Sequence, residues 1–161
     1  MGGQVLVEML AQRPSFCEYA IIESACVIPS KLTNALINPM FNMSFGLIKK
    51  KWFAKLQFKS LKIKSDLFQN YYEDTCKISK QDMIAFMKAN TSYSCKEEIG
   101  RTTAKVTIVV GAREQSNMIS SARKLHQMIP GSTLFIKDNL YHGEYSINHP
   151  AEYAEYINST L

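Results

Sequence analysis

No hydrophobic run in this chain approaches the roughly 18 residues a membrane-spanning helix requires, so no segment reads as a transmembrane span. Residues 1–12 lack a basic stretch and a small-residue cleavage site, so they do not read as a secretory signal. Position 6 is Leu where an N-myristoylation signal wants Ser or Thr. Cysteine is sparse. Cys17, Cys26, Cys76 and Cys95 are scattered with no C-x-x-C, which reads as reduced thiols in a cytoplasmic protein rather than a disulfide framework. Three separated histidines with no acid or Cys at ligand spacing give no metal signal. No repeat or low-complexity tract is present. Acids are missing from one stretch only: Lys49, Lys50, Lys51, Lys55, Lys59, Lys62 and Lys64 occur without an Asp or Glu among them.

What is there fits one soluble globular domain. The chain has 161 residues, 46% hydrophobic and 20% charged, enough to bury a core. Its net charge of +5 comes from the lysine segment, and the remainder is slightly acidic. Such local basicity gives no argument for a nucleic-acid partner.

Along the chain, residues 2–13 predict a helix with Val5, Leu6, Met9 and Leu10 as its apolar stripe, and Pro14 after its end. Tyr19–Ile28 is an almost continuous apolar run closed by Pro29, the pattern of a strand buried on both faces. Residues 30–101 hold no convincing strand. They predict helices near 31–47, 48–60, 64–74 and 79–90, the last with Ser79 and Asp82 as a capping pair. Lys105–Gly111 is rich in β-branched residues and predicts the clearest strand. A helix follows over Ser116–Met128, with Met118, Ile119, Ala122, Leu125 and Met128 on one face. Thr133–Ile136 predicts a short strand, and a loop runs through Tyr141-His142-Gly143. The last helix starts near Asn148-His149-Pro150, with Pro at an allowed first-turn position. Strands alternating with helices imply a parallel sheet with helices on its faces.

In this order and spacing the chain resembles the C-terminal part of an α/β-hydrolase, a serine esterase or lipase type of fold. The resemblance covers nearly the whole chain. It implies an α/β class: an incomplete α/β-hydrolase fold of about three parallel strands, with an all-helical cap inserted. Residues 1–29 would be the helix after the nucleophile elbow and the next strand, 30–101 the cap, and 102–161 the last strands with the histidine loop. These would form a single partial domain.

The resemblance also implies site residues. Met1-Gly2-Gly3 resembles the second half of a G-x-S-x-G-G elbow, with the serine just ahead of Met1. Gly2 and Gly3 would be the small elbow positions. Met1 would give the oxyanion hole the backbone N–H that follows the nucleophile. The alternative is an ordinary flexible N-terminus. His142, followed by Gly143 and with Pro150 further on, matches the catalytic base, the alternative being a surface histidine. Glu114 in Gly111-Ala112-Arg113-Glu114 stands where the family often has its acid. It could instead pair with Arg113 at the surface, leaving Asp138 as a weaker candidate acid. His126 and His149 read as structural or exposed.

The lysine segment has three readings. Ile48, Trp52, Phe53, Leu56 and Leu61 could face a core while the lysines face water. A basic amphipathic surface could touch anionic lipid, or the lysines could bind an anionic substrate. The first is favoured, so membrane contact is not expected. Met40, Phe41, Met43 and Phe45 could line an apolar acyl pocket or be plain core.

Two function classes follow. One is a serine hydrolase of esterase type that forms an acyl-enzyme on a small, mostly apolar ester and needs no cofactor. Its nucleophile would be missing here, leaving the isolated chain inactive. The other is a non-catalytic truncated or split chain. It would associate with itself or with an N-terminal half through an exposed sheet edge.

Overall fold

A computed structural model describes residues 1–62 and 64–160. These divide into two compact units: one of Met1–Pro29 with Tyr93 onward, the other of Ser30–Ser92.

The first unit holds the sheet. Strands β1 (Tyr19–Glu23), β2 (Lys105–Gly111) and β3 (Thr133–Lys137) run parallel in the order β1-β2-β3. Register pairs Ile22 with Ile108, and Ile108 with Leu134. Central β2 is buried from Val106 to Gly111, as its β-branched run requires. β1 is shorter than its apolar run suggests. It ends at Glu23 because Ser24 takes a left-handed turn (φ 52°). Ala25 and Val27 still enter the core, as non-strand backbone whose Val27 N–H donates to Ser121 Oγ at 3.0 Å. Nor is β1 buried on both faces. Ala20 and Ile22 are buried, while Tyr19, Ile21 and Glu23 are half-exposed, the alternation of an edge strand.

Helix α1 (Gly2–Gln12) buries Gln4, Val7, Leu10 and Ala11. Val5 and Met9, expected inside, face outward. The helix is rotated because its first turn is pressed against the end of β1: a Cβ on Gly3 would come within 3.0 Å of both Ala25 Cβ and Glu23 O. That rotation turns Gln4 inward, where its Nε2 donates to Cys26 O at 2.6 Å. Helix α6 (Ser116–Met128) places its apolar row against the same core, with Leu125 fully buried. The segment 93–101 also belongs here. Cys95 and Ile99 join the sheet core, so the helical insert ends at Ser92, short of residue 101. Burial pushes the Cys95 thiol up to about 11, which makes it an unreactive core group.

Two helices close this unit, a short α7 (Glu144–Asn148) that the sequence did not announce and α8 (Pro150–Thr160). Tyr156 OH of α8 meets Thr107 Oγ1 at 2.7 Å, tying the helix to β2.

The second unit is helical: α2 (Lys31–Ile48), α3 (Lys51–Ser60), α4 (Phe68–Lys77) and α5 (Lys80–Ser92). Ser30 caps α2 by accepting from Thr33 N at 3.3 Å. Ser79 caps α5 as its spacing predicts: Asp82 N donates to Ser79 Oγ at 3.1 Å, and that hydroxyl donates to Asp82 Oδ2 at 2.6 Å. Asn34 Nδ2 on α2 reaches Lys88 O and Thr91 Oγ1 of α5 at 3.1 and 3.0 Å. Phe58 of α3 packs against Phe68 and Tyr71 of α4.

The chain breaks between α2 and α3 at Lys49–Lys50, where α4 holds it: Lys49 Nζ donates to Cys76 O and Tyr72 OH donates to Lys49 O. This break resets the helical phase. The buried row of α3 is Ala54 and Phe58. Trp52 and Leu56, expected in the core, lie outside at 60% and 61% exposure, and Leu61 is exposed as well. An open groove of about 830 Å³ lies on this unit, lined by Met40, Phe41, Ile48, Met83, Phe86 and Met87 among others. Met43, expected with them, is 88% exposed.

Candidate active site

In a parallel sheet all strands deliver their following loops to one edge, where ligands bind. Here that edge gathers Ser24 after β1, Glu114 after β2 and His142 after β3. Glu114 accepts from His142 Nδ1 at 2.8 Å through Oε2. Its Oε1 accepts from Ser24 Oγ at 2.6 Å and from Gly111 N at 2.9 Å. The Glu114 side chain is 0% exposed, that of His142 63%.

Burial alone would raise the Glu114 carboxyl, but hydrogen bonds from His142, Ser24 and the Gly111 N–H outweigh it. The group is held below its ordinary value and is a carboxylate at neutral pH. A carboxylate only accepts hydrogen bonds, so the imidazole proton must lie on Nδ1. In the neutral ring Nε2 then keeps its lone pair, the form a general base needs.

Arg113 does not compete for the carboxylate. Its guanidinium donates to Asn139 Oδ1 at 2.9 Å and lies 5.8 Å from the Tyr141 ring. Asp138 is exposed in the turn before Asn139, whose backbone is left-handed (φ 62°). Among the described residues no three His, Cys, Asp or Glu side chains gather in a way that could hold a metal.

The histidine loop is held from several sides. Glu144 Oε2 accepts from Tyr141 N at 2.6 Å, and Gly143 takes a left-handed turn (φ 69°) ahead of α7. The Gly143 N–H donates to Ser24 Oγ at 3.4 Å, and the Ser146 N–H donates to Glu23 Oε1 at 3.3 Å. Gly111 has a role beyond ending β2. A Cβ there would run into the Leu140 carbonyl, so only glycine lets the loop cross above the strand end and set His142 beside Glu114. Ser24 carries no signal in the sequence. It follows a strand with no motif around it, and only the fold shows that its hydroxyl bridges the acid and the histidine loop.

Met1 sits at the N-cap of α1, its carbonyl accepting from Gln4 N and Val5 N at 2.9 and 3.1 Å. Gly2 has open space around it, whereas Gly3 is in tight contact with Ala25 and Glu23. The start of α1 thus abuts the strand end that carries Ser24.

No protein-family model matches the chain, and no curated protein does. Solved structures do resemble it. An esterase from Exiguobacterium antarcticum superposes with a TM-score of 0.74 at 16% identity, over 98% of this chain and 62% of that one. A 2-hydroxy-6-oxo-6-phenylhexa-2,4-dienoate hydrolase from a Rhodococcus species gives 0.73 at 11% identity, over 98% and 60%. An α/β-hydrolase enzyme from a deep-sea metagenome gives 0.65 at 10% identity, over 94% and 58%. The chain therefore spans about three fifths of the length of the structures it matches. Their likeness, the parallel β1-β2-β3 sheet and the helical insert after β1 agree: this chain has part of the α/β-hydrolase fold, three of its parallel strands with a helical insert.

Proposed function

We propose that the chain supplies the base and its orienting acid to a serine hydrolase of esterase type, acting on a small, largely apolar ester. His142 would take the proton of a serine hydroxyl through Nε2 and return it to the leaving alcohol. Glu114 would hold the imidazole in that tautomer and stabilise its charged form. The observation that carries this reading is the 2.8 Å contact between His142 and the fully buried Glu114 carboxylate.

The nucleophile is proposed to precede Met1, with Gly2 and Gly3 as the small elbow positions and the Met1 backbone N–H in the oxyanion hole. The tight seat of Gly3 on the end of β1 supports this, since it brings the start of α1 to the strand end that carries Ser24. Ser24 itself is poorly placed to attack an ester. Its hydroxyl donates to Glu114 rather than to His142, so the carboxylate lies between hydroxyl and imidazole.

The test compares the 161-residue chain with one extended upstream by a strand ending Gly-x-Ser, on p-nitrophenyl acetate. The extended chain should give an acyl-enzyme burst and turnover, both removed by His142→Ala. The 161-residue chain should give neither. A burst from the shorter chain that needs His142 would overturn the placement of the nucleophile.

A second reading rests on β1, which stands at one edge of the sheet. Pairing at that edge with another copy, or with an N-terminal half, would make the chain an association module. Sedimentation showing a monomer at all concentrations would count against self-pairing.

A further inference from the structure

Helix α3 has three distinct rows. Ala54 and Phe58 face the core of the helical unit. Lys51, Lys55 and Lys59 form an exposed row four residues apart. Beside it lie Trp52 and Leu56, more than half exposed, with exposed Leu61 just after the helix. The Lys51 and Lys55 ammonium groups lie 5.8 and 5.9 Å from the rings of Tyr72 and Phe68, and no acid occurs from Lys49 to Ser65. The outer face of α3 is thus a basic row next to an apolar one.

We propose that this face docks on an anionic lipid surface, with Trp52 and Leu56 entering the headgroup boundary while the lysines stay among the lipid phosphates. Charge complementarity chooses the occupant: a run of lysines without acids is drawn to a negative membrane surface. The apolar row separates this from nucleic-acid binding. Trp52 is followed one turn on by Leu56, its neighbour Phe53 meets it edge-on at 5.6 Å and not as a second parallel stacking face, and the segment has no arginine. Tryptophan is also the side chain that settles at a membrane boundary, with an apolar body and one polar N–H. The inference does not depend on the hydrolase reading.

Trp52 is the chain's single tryptophan, so its fluorescence reports this face alone. With phosphatidylglycerol vesicles in low salt, its emission should move to shorter wavelength and the chain should sediment with the vesicles. Phosphatidylcholine vesicles should do neither, and salt should reverse the binding. At about one kcal/mol per lysine near an anionic surface, the triple variant Lys51→Gln/Lys55→Gln/Lys59→Gln should bind roughly a hundredfold more weakly. Leu56→Glu should abolish the spectral shift. All of these are surface changes, and unaltered far-ultraviolet dichroism would confirm that the variants fold.

An unmoved Trp52 emission with phosphatidylglycerol would overturn the proposal, even with sedimentation, because Trp52 would then not enter the lipid. So would equal binding to phosphatidylcholine. A shift that tracks protein concentration without vesicles would assign the face to a second copy. Quenching by a single-stranded oligonucleotide, with no response to vesicles, would assign it to nucleic acid.

Discussion

The sheet unit and the helical unit hide their apolar residues very differently. In the sheet unit Leu10, Ile22, Val27, Ile99, Val110 and Leu125 are wholly enclosed. In the helical unit Ile37 and Ala54 reach that state, while Leu32, Leu36, Met43, Trp52 and Leu56 remain outside. The sheet demands enclosure, because a central parallel strand is covered on both faces. A short helix needs only one buried row, so its other rows are open to other uses. The fold is therefore anchored where the histidine and its acid sit, and the helical unit is where surface chemistry can vary.

The largest effect should separate the units directly. Leu125→Ala opens a cavity in the sheet core and should cost about 2–5 kcal/mol of stability. Leu56→Ala on the exposed row of α3 should stay within about 0.5 kcal/mol. Urea melts of both variants check this, and similar losses would erase the contrast.

A smaller but more local effect is expected at Gly111. Gly111→Ala puts a methyl into the Leu140 carbonyl and should cost about 1–3 kcal/mol. It should also part His142 from Glu114, seen as a changed imidazole nitrogen spectrum, while the helical unit's signals stay unmoved.

The smallest concerns Ser24. Ser24→Ala removes one of three donors to the Glu114 carboxylate and should cost on the order of 1 kcal/mol, since Gly111 and His142 remain. It should also raise the Glu114 carboxyl toward its ordinary value. Glu114 is held below its unfolded value, so its stabilisation is complete above about pH 4.3 and fades as pH falls through the lower folded value. Denaturant titrations across that acid range should show the loss in the native chain and less of it in Ser24→Ala.

The contrast between units also marks what could be read from the residues. β2 was legible because its β-branched run is buried along its length, and α6 because its apolar row is regular. The capping pair Ser79–Asp82 was legible because it is local chemistry. The end of β1 was hidden: Ala25–Ile28 are as apolar as a strand, and only the left-handed Ser24 turns them away. In helix α3 the exposed row was hidden because the break at Lys49–Lys50 falls between Ile48 and Trp52, where bonds to α4 hold the chain. Of the candidate site, Glu114 and His142 followed from the resemblance to the α/β-hydrolases, and the structure sets them in contact. Ser24 and the steric part of Gly111 did not, since both depend on loops distant in sequence.

Buried Glu114 is proposed to hold His142 as a base with its proton on Nδ1. Nitrogen-15 spectra of the histidine rings near pH 8 test it on the chain itself. The expected result is a His142 Nδ1–H tautomer with a downfield, slowly exchanging proton that disappears in Glu114→Ala. A His142 in the Nε2–H tautomer, unchanged by that substitution, would contradict it.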